Sequence, residues 1–496
     1  HQFPIRRDMV GIEKISSMKT FTNPELLGAN SSEEVRRRAI GLVRGILDEA
    51  KNLGMETGLS IQPFHWPKEF IKVLPGSEEV DQLGDLTAGP GHQQSMQDPL
   101  LKEMVRTIFR AYIETYPDID YLHINMPEHR SWIAQARKAY SKLTTYYQFQ
   151  DLGSFEELCR SARSRTTFPG GGKRVETMIK GDLSSLWFLD SLMREKNLLK
   201  RPGKDDNIKM IFKFIAAELF PLLAKMLPKD GEIVSFVDYT ASRQLKQLDL
   251  LKQVPPEKIP ASLIFTLADD NVGLLPQLAT ESLHQLMSEL RKNDWKGFYT
   301  RYWTIGDLDP TTHYLSRASW NPSITPKQAY VDQIQHVCGP DAVESTLKAF
   351  AIIEKITLGL DQHGLGFGFP VPEMMIKHFK KGGLSDLLKR DRELYREARE
   401  HMEEAHQKSS HQGRAYTGYF FARLHFAVRY LDAAEAFGAT ARALKIGRKE
   451  EALQQVDLAY KAIQEAIQSY ADVAKDYGDL GAVALLNEYC YRPIKQ

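Results

Sequence analysis

Cysteine is nearly absent. Cys159, Cys338 and Cys490 are three in 496 residues, odd in number and far apart, so neither a disulfide framework nor a structural zinc site is expected. Long apolar runs are missing too. The richest stretch, Ile211 to Met226, is broken by Lys213, Glu218, Pro221 and Lys225, short of the roughly 18 apolar residues that span a bilayer, so no membrane partner is expected. A formal net charge of +1 removes any long-range attraction to nucleic acid or anionic lipid. Glycines are present, but in no nucleotide fingerprint. Gly170-Gly-Gly-Lys173 lacks the spacing and the following Ser/Thr of a phosphate loop, and Gly359 to Pro370 has neither a strand before it nor a helix opening on its third glycine. Both read as turns, the second long enough to cross a barrel mouth. No paired His spacing on a helix points to a metal, and no organic cofactor is implied.

What is present is an ordinary globular composition, 42% hydrophobic and 26% charged, in a chain too long for one core, so two or three domains are expected. The chain starts on His1 rather than Met, which suggests a removed upstream segment and leaves cytoplasmic, periplasmic and secreted locations open for a soluble protein. Up to about residue 322, short apolar segments alternate with amphipathic ones, the sign of repeated β-α units and a parallel sheet. Strands are predicted at Thr57 to Pro63, Tyr121 to Asn125, Ile233 to Tyr239, Ser262 to Ala268 and Gly297 to Trp303. Two more are sought near His313 to Ala318 and Gly11 to Thr20. Helices are predicted at Ser31 to Leu53, with Val35, Ile40, Val43 and Ile46 on one face, and at Asp98 to Tyr116, Met210 to Met226, Ser242 to Gln253 and Thr280 to Lys292. Ile133 to Asp230 carries helical pattern and no convincing strand, and reads as a large helical excursion.

These features favour an α/β fold, a (β/α)₈ TIM-like barrel with an incomplete N-terminus, over an open doubly wound sheet, since no Gly-rich first β-α turn is seen. After Trp320-Asn-Pro322 the pattern turns helical throughout: Pro326 to Val337, Asp341 to Leu358, Pro372 to Lys380, Leu384 to Gln407, Arg414 to Leu444 and Lys449 to Tyr477. Residues 1–322 are thus expected to form the barrel, with the excursion at about 133–230, and residues 323–496 a helical domain. The two long last helices would pair within that domain or across a homodimer.

The strand ends carry the chemistry. His65 and Trp66 follow the first, and His123, Asn125, Glu128, His129 and Arg130 the second. Asp238 and Tyr239 end the third, Asp269, Asp270 and Asn271 the fourth, and Arg301, Tyr302 and Trp303 the fifth. Chemistry in parallel α/β folds sits beyond the C-terminal strand ends. Carboxylates with aromatic platforms there suit glycosidic cleavage, which needs one acid to protonate the leaving oxygen and one carboxylate to activate water or attack the ring. The bland readings stay open beside this: Asp269-Asp270-Asn271 as a helix cap or turn, His123 as a core histidine, His129 as an exposed one, Arg301 and Arg317 as rim salt bridges.

The segments Asp118-Ile-Asp-Tyr-Leu-His-Ile-Asn-Met-Pro-Glu-His-Arg130 and Tyr314-Leu-Ser-Arg-Ala-Ser-Trp-Asn-Pro322, followed by Thr325-Pro-Lys-Gln-Ala-Tyr330 and Cys338-Gly-Pro-Asp341, resemble barrel glycoside hydrolases of the α-glucuronidase and β-N-acetylhexosaminidase-like group. The resemblance implies Glu128 as general acid, and Asp238 with Asp269 or Asp270 as the carboxylates that position and deprotonate water, in an inverting reaction. His129 beside Glu128 leaves a histidine acid or base open. The function expected is exo-acting removal of a terminal, plausibly acidic, sugar from an oligosaccharide or glycoconjugate, with Arg130, Arg301 or Arg317 pairing the sugar carboxylate and Trp320 among the sugar contacts. The alternatives are a sialidase- or N-acetylhexosaminidase-like hydrolase and a non-catalytic carbohydrate-binding barrel.

Overall fold

Five parallel ladders tie six short strands into one sheet in the order β1-β5-β6-β7-β8-β9, comprising β1 (Gly58–Ile61), β5 (Tyr121–Asn125), β6 (Lys209–Lys213), β7 (Glu232–Ser235), β8 (Ala261–Thr266) and β9 (Gly297–Arg301). Strands β2 (Trp66–Pro67), β3 (Ser77–Glu79) and β4 (Thr87–Pro90) form a small antiparallel sheet in the connection after β1. The computed structural model describes residues 5–15, 21–80, 87–128, 130–149, 153–166, 168, 170–195, 198–228, 230–254, 258–268, 273–302, 306–363 and 373–496.

The large sheet is strongly curled. His123 on β5 and Tyr299 on β9 are four strand steps apart, about 19 Å on a flat sheet at roughly 4.8 Å per step. Their rings lie 6.1 Å apart. The alternation of side chains explains how the curl is filled. Tyr121, Ile211, Val234 and Ile264 form a cluster on the concave side, with Phe214, Phe236 and Tyr299 packed against it. The intervening Leu122, Ile124, Met210, Phe212, Ile233, Leu263 and Phe265 point outward into the larger core. Strand and helix thus alternate around a curled half-barrel wall that, among the described residues, remains unpaired along the outer edges of β1 and β9.

The first helix, α1 (Ser32–Asn52), is capped by Ser31, whose side chain accepts from the Glu34 N–H. Its predicted apolar face is not buried: Val35 and Ile46 are exposed. Helices α2 (Pro99–Thr115), α3 (Ala136–Tyr146), α4 (Phe155–Ser164), α5 (Gly171–Met193), α6 (Phe220–Met226), α7 (Ala241–Leu245), α8 (Leu248–Leu251) and α9 (Thr280–Lys292) follow. From α10 (Asp309–Trp320) onward the regular elements among the described residues are all helices: α11 (Pro326–Cys338), α12 (Val343–His363), α13 (Met374–Lys381), α14 (Asp386–Lys408), α15 (Arg414–Lys445), α16 (Lys449–Val473), α17 (Tyr477–Leu486) and α18 (Arg492–Lys495). Helices α11 to α18 share a second buried cluster that also takes in Met9, Ile15, Leu274, Leu275 and Leu278 from earlier in the chain, whereas Tyr314, Leu315 and Ala318 of α10 belong to the core around the sheet.

Several expectations are corrected. Strand β6 lies inside the stretch read as purely helical, and Met210 to Met226 is a strand that gives way to α6 rather than one helix. His313 to Ala318 is helix, opened by Pro310 in the first turn of α10. Ser242 to Gln253 breaks into α7 and α8, and Lys449 to Tyr477 stops at Val473 before α17. Around Gly11 the backbone forms a short 3₁₀ turn at Ile12–Lys14, and residues 16–20 lie outside the described residues, as does most of the Gly359 to Pro370 loop. No helix among the described residues is long and apolar enough to cross a membrane.

Candidate functional site

The concave side of the sheet is built in layers, and the two ends differ in kind. At the N-terminal end of the strands the polar groups are matched. The Tyr121 hydroxyl donates to Glu232 at 3.2 Å, Lys296 pairs with Glu232 at 2.5 Å, and Lys209 pairs with Glu56 at 3.6 Å. That end is a satisfied plug. Toward the C-terminal end the inward positions are His123 and Asn125 on β5, Lys213 on β6, Phe236 beyond β7, Thr266 on β8 and Arg301 on β9. Here His123 Nδ1, Asn125 Oδ1 and Thr266 Oγ1 are buried without a hydrogen-bond partner. Buried polar atoms in native proteins mostly have partners, and three open ones converging at one end of the sheet make this the candidate place for a ligand's polar atoms.

The same end is cationic and aromatic. Lys213 Nζ lies 5.0 Å from the Tyr299 ring centre, and the Arg301 guanidinium lies over Phe236 and Tyr239 at 5.4 and 5.3 Å. Arg174 on α5 donates to the Tyr239 hydroxyl at 3.1 Å. Burial lowers the Lys213 pKa, and burial together with the nearby Lys213 charge lowers His123 to about 4, so the imidazole is neutral near pH 7. The His123 ring fits because β1 carries glycine beside it: a Cβ at Gly58 would overlap His123 Nε2.

Glu128 is exposed on the loop after β5, and that loop is held from beneath. Arg130, only 5% exposed, lies 2.8 Å from Asp182 of α5 and donates to the Phe214 carbonyl at 3.2 Å. The other Asp182 oxygen accepts from the Ala216 N–H, and Gly181 leaves the room that the Arg130 stem occupies. Ser131 donates to Pro90 O and the Trp132 indole to Gln94 O, with Trp132 1% exposed in a left-handed conformation at φ 54°. Burial raises Asp182 to about 6 against the opposing pull of Arg130. Arg130 is therefore placed as a brace beneath the loop, paired with Asp182, where the expectation had it pairing a sugar carboxylate.

Asp238 also departs from expectation. It is fully buried, and its oxygens accept from the Tyr239 N–H, Arg243 Nε at 3.0 Å and Gln247 Nε2 at 3.2 Å. A carboxylate so enclosed holds its loop and has no opening toward a water. Arg317 and Trp320 sit in the last turn of α10, which returns toward the N-terminal end of the strands, where Arg291 at the end of α9 donates to Ala318 O. Arg317 pairs there with Asp332, and Trp320 is 91% exposed. Trp66 is 3% exposed in the small sheet, so it offers no open platform, while His65 bonds Gln62 at 2.9 Å. Tyr239 is buried against Phe168 and Phe236, and Tyr302 is half exposed just past β9. His129, Asp269, Asp270, Asn271 and Trp303 lie outside the described residues. Lys213 and Thr266 were missed from sequence, although Lys209 and Lys213 do bracket the short apolar run Met210-Ile-Phe212.

Two mouth loops are fastened by the helical half. Arg423 on α15, fully buried, pairs with Asp307 in the connection after β9 and donates to Leu274 O after β8 at 2.6 Å. Tyr395 on α14 donates to Pro276 O at 3.0 Å. On α12, Asp361 accepts from Ser242 Oγ at 3.0 Å, and burial raises its pKa to about 7. A carboxyl held above its unfolded value keeps its proton in the fold after the unfolded chain has released it. Stability from this group therefore falls as pH rises from about 4 to about 7 and is level above. Asp361→Asn, which keeps an acceptor for Ser242, is expected to flatten that slope and to gain on the wild type at pH 8 relative to pH 5. Urea midpoints at the two pH values check this; an unchanged wild-type-minus-variant difference would remove Asp361 as the source.

No protein-family model matches the sequence, and no curated protein is significantly similar to it. Similar solved structures are glycoside hydrolases. A GH138 enzyme targeting pectin rhamnogalacturonan II is 11% identical over 91% of this chain and 66% of that one, with a TM-score of 0.48. A mutant of Thermobaculum terrenum O-GlcNAc hydrolase is 13% identical over 92% of this chain and 84% of that one, with a TM-score of 0.38. CpGH84D is 13% identical over 87% and 60%, with a TM-score of 0.34. The chain thus spans under two thirds of the length of the first and third of these.

Proposed function

We propose that the chain is an exo-acting glycoside hydrolase that removes a terminal acidic sugar. The observation that carries this reading is the mouth itself, where unpartnered polar atoms and aromatic rings surround two cationic side chains below an exposed Glu128. Rings supply flat faces to sugar C–H surfaces, and cations suit a sugar carboxylate. Glu128 acts as general acid on the leaving glycosidic oxygen. With Asp238 committed to Arg243, the base falls to Asp269 or Asp270, which activates a water on the opposite face of the ring. Inversion needs the two carboxyl groups about 6.5–9.5 Å apart, whereas retention would need about 5–5.5 Å.

A panel of chromogenic glycosides tests the reading, with glucuronides and galacturonides set beside N-acetylhexosaminides and sialosides. Release from a uronide by the wild type, abolished in Asp269→Asn or Asp270→Asn, is the expected result. Turnover confined to N-acetylated or nonulosonic sugars would replace the uronic-acid assignment. Saturable sugar binding without any release would make the chain a lectin-like barrel.

A further inference from the structure

We propose that Lys213, the last residue of β6, receives the carboxylate of the bound sugar, with the His123 imidazole and the Asn125 amide taking neighbouring hydroxyls. The proposal rests on the glycosidase reading for its setting and adds the residue that would select the acidic substrate. Of the three arginines expected to pair a sugar carboxylate, Arg130 and Arg317 are committed to Asp182 and Asp332, and Arg301 lies over the Phe236 and Tyr239 rings. Lys213 is different. It is half-buried on the concave face beside the Tyr299 ring, and among the described residues no carboxylate pairs with it. By contrast, Lys209 at the other end of the same strand and on the same face has Glu56 at 3.6 Å. Even a half-buried ammonium without a counter-charge is costly, and burial alone accounts for its lowered pKa. Such a group gains most when a ligand brings the missing negative charge.

The neighbours fit the same ligand. Asn125 and Lys213 are register partners across the β5–β6 ladder, so their side chains stand side by side. Asn125 Oδ1 and His123 Nδ1 are both buried and unpartnered, ready for hydroxyls next to a carboxylate. A neutral histidine adds no repulsion to the ammonium and leaves one ring nitrogen as an acceptor.

Direct binding tests this without turnover. Isothermal titration of the full chain with D-glucuronate and D-galacturonate, beside D-glucose and D-galactose, is run on the wild type, Lys213→Met and Lys213→Arg. The wild type is expected to bind one uronate at least 10-fold more tightly than its neutral parent. Lys213→Met is expected to lose that preference, about 10- to 100-fold in affinity, and Lys213→Arg to keep part of it. Since the variant removes an uncompensated buried charge, its melting temperature should hold or rise, where loss of a structural lysine would lower it. Equal affinity of the wild type for uronate and hexose, no uronate binding, or unchanged preference in Lys213→Met would overturn the proposal. Uronate binding that needs Lys213, in a protein that hydrolyses no glycoside, would defeat the glycosidase reading alone; hydrolysis of a neutral glycoside without uronate preference would defeat the Lys213 proposal alone.

Discussion

Glu128→Gln is expected to cut turnover of a natural alkyl glycoside about 10²- to 10⁴-fold while leaving sugar affinity within a few-fold of the wild type. That range is what a positioned general acid contributes. Glutamine keeps the size of the side chain and its capacity to hydrogen-bond but cannot give a proton to the departing oxygen. The loss should depend on the leaving group. A 4-nitrophenolate departs with little need of a proton, so its release should suffer far less than that of an alcohol, and the ratio of the two losses is the signature of an acid rather than of a binding residue. Steady-state rates on an aryl and an alkyl glycoside of the same sugar measure it. Wild-type turnover in Glu128→Gln on both substrates would end the assignment, and equal losses on both would make Glu128 a contact that orients the ring.

The second large effect concerns Arg423. Its guanidinium makes two hydrogen bonds to Asp307 at 3.1 and 2.9 Å, a third to Leu274 O, and stacks 3.9 Å from the Tyr470 ring centre. All of this is out of water, and Asp307 is itself 3% exposed. Breaking one side of a buried pair strands the other charge, and the cost is about 3–5 kcal/mol. Arg423→Met should therefore lose that much in urea unfolding, a large share of a typical 5–15 kcal/mol total. The double change Arg423→Met with Asp307→Asn should be markedly less damaged than the single one, because no charge is then left without a partner. A single variant within about 1 kcal/mol of the wild type would mean that water or another cation takes over the role.

Much of the scaffold was legible because its period is legible. Tyr121 to Asn125 alternates strictly, and the C-terminal helices repeat every three to four residues with capping signals such as Thr325, which forms a capping box with Gln328. Strand β6 was missed for a physical reason: Met210, Ile211 and Phe212 are consecutive apolar residues, buried on both faces of the wall, and a short apolar run does not distinguish strand from helix. That one misreading hid Lys213. At the mouth, sequence located the loops and not the direction of the side chains. Glu128 and Arg130 are two residues apart, yet one is open to solvent and the other sealed beneath it, and only Gly181 on a distant helix explains where the arginine goes. Asp238 ended an apolar strand and looked catalytic. Its consumption by Arg243 and Gln247, five and nine residues on, depends on the turn into α7 that no periodicity reports.

Arg423 stands 116 residues beyond Asp307 and 149 beyond Leu274 along the chain. A protein synthesised from its N-terminus folds early segments first. The sheet, the cationic floor and the loop bearing Glu128 are all complete in a nascent chain that has not yet made α15, whereas the connections after β8 and β9 still lack the group that fastens them. A ribosome-bound intermediate would therefore carry a half-fastened mouth, its floor in place while the connections after β8 and β9 await their anchor, so those two connections should be cut by protease more readily in chains that end before α15 than in the full chain.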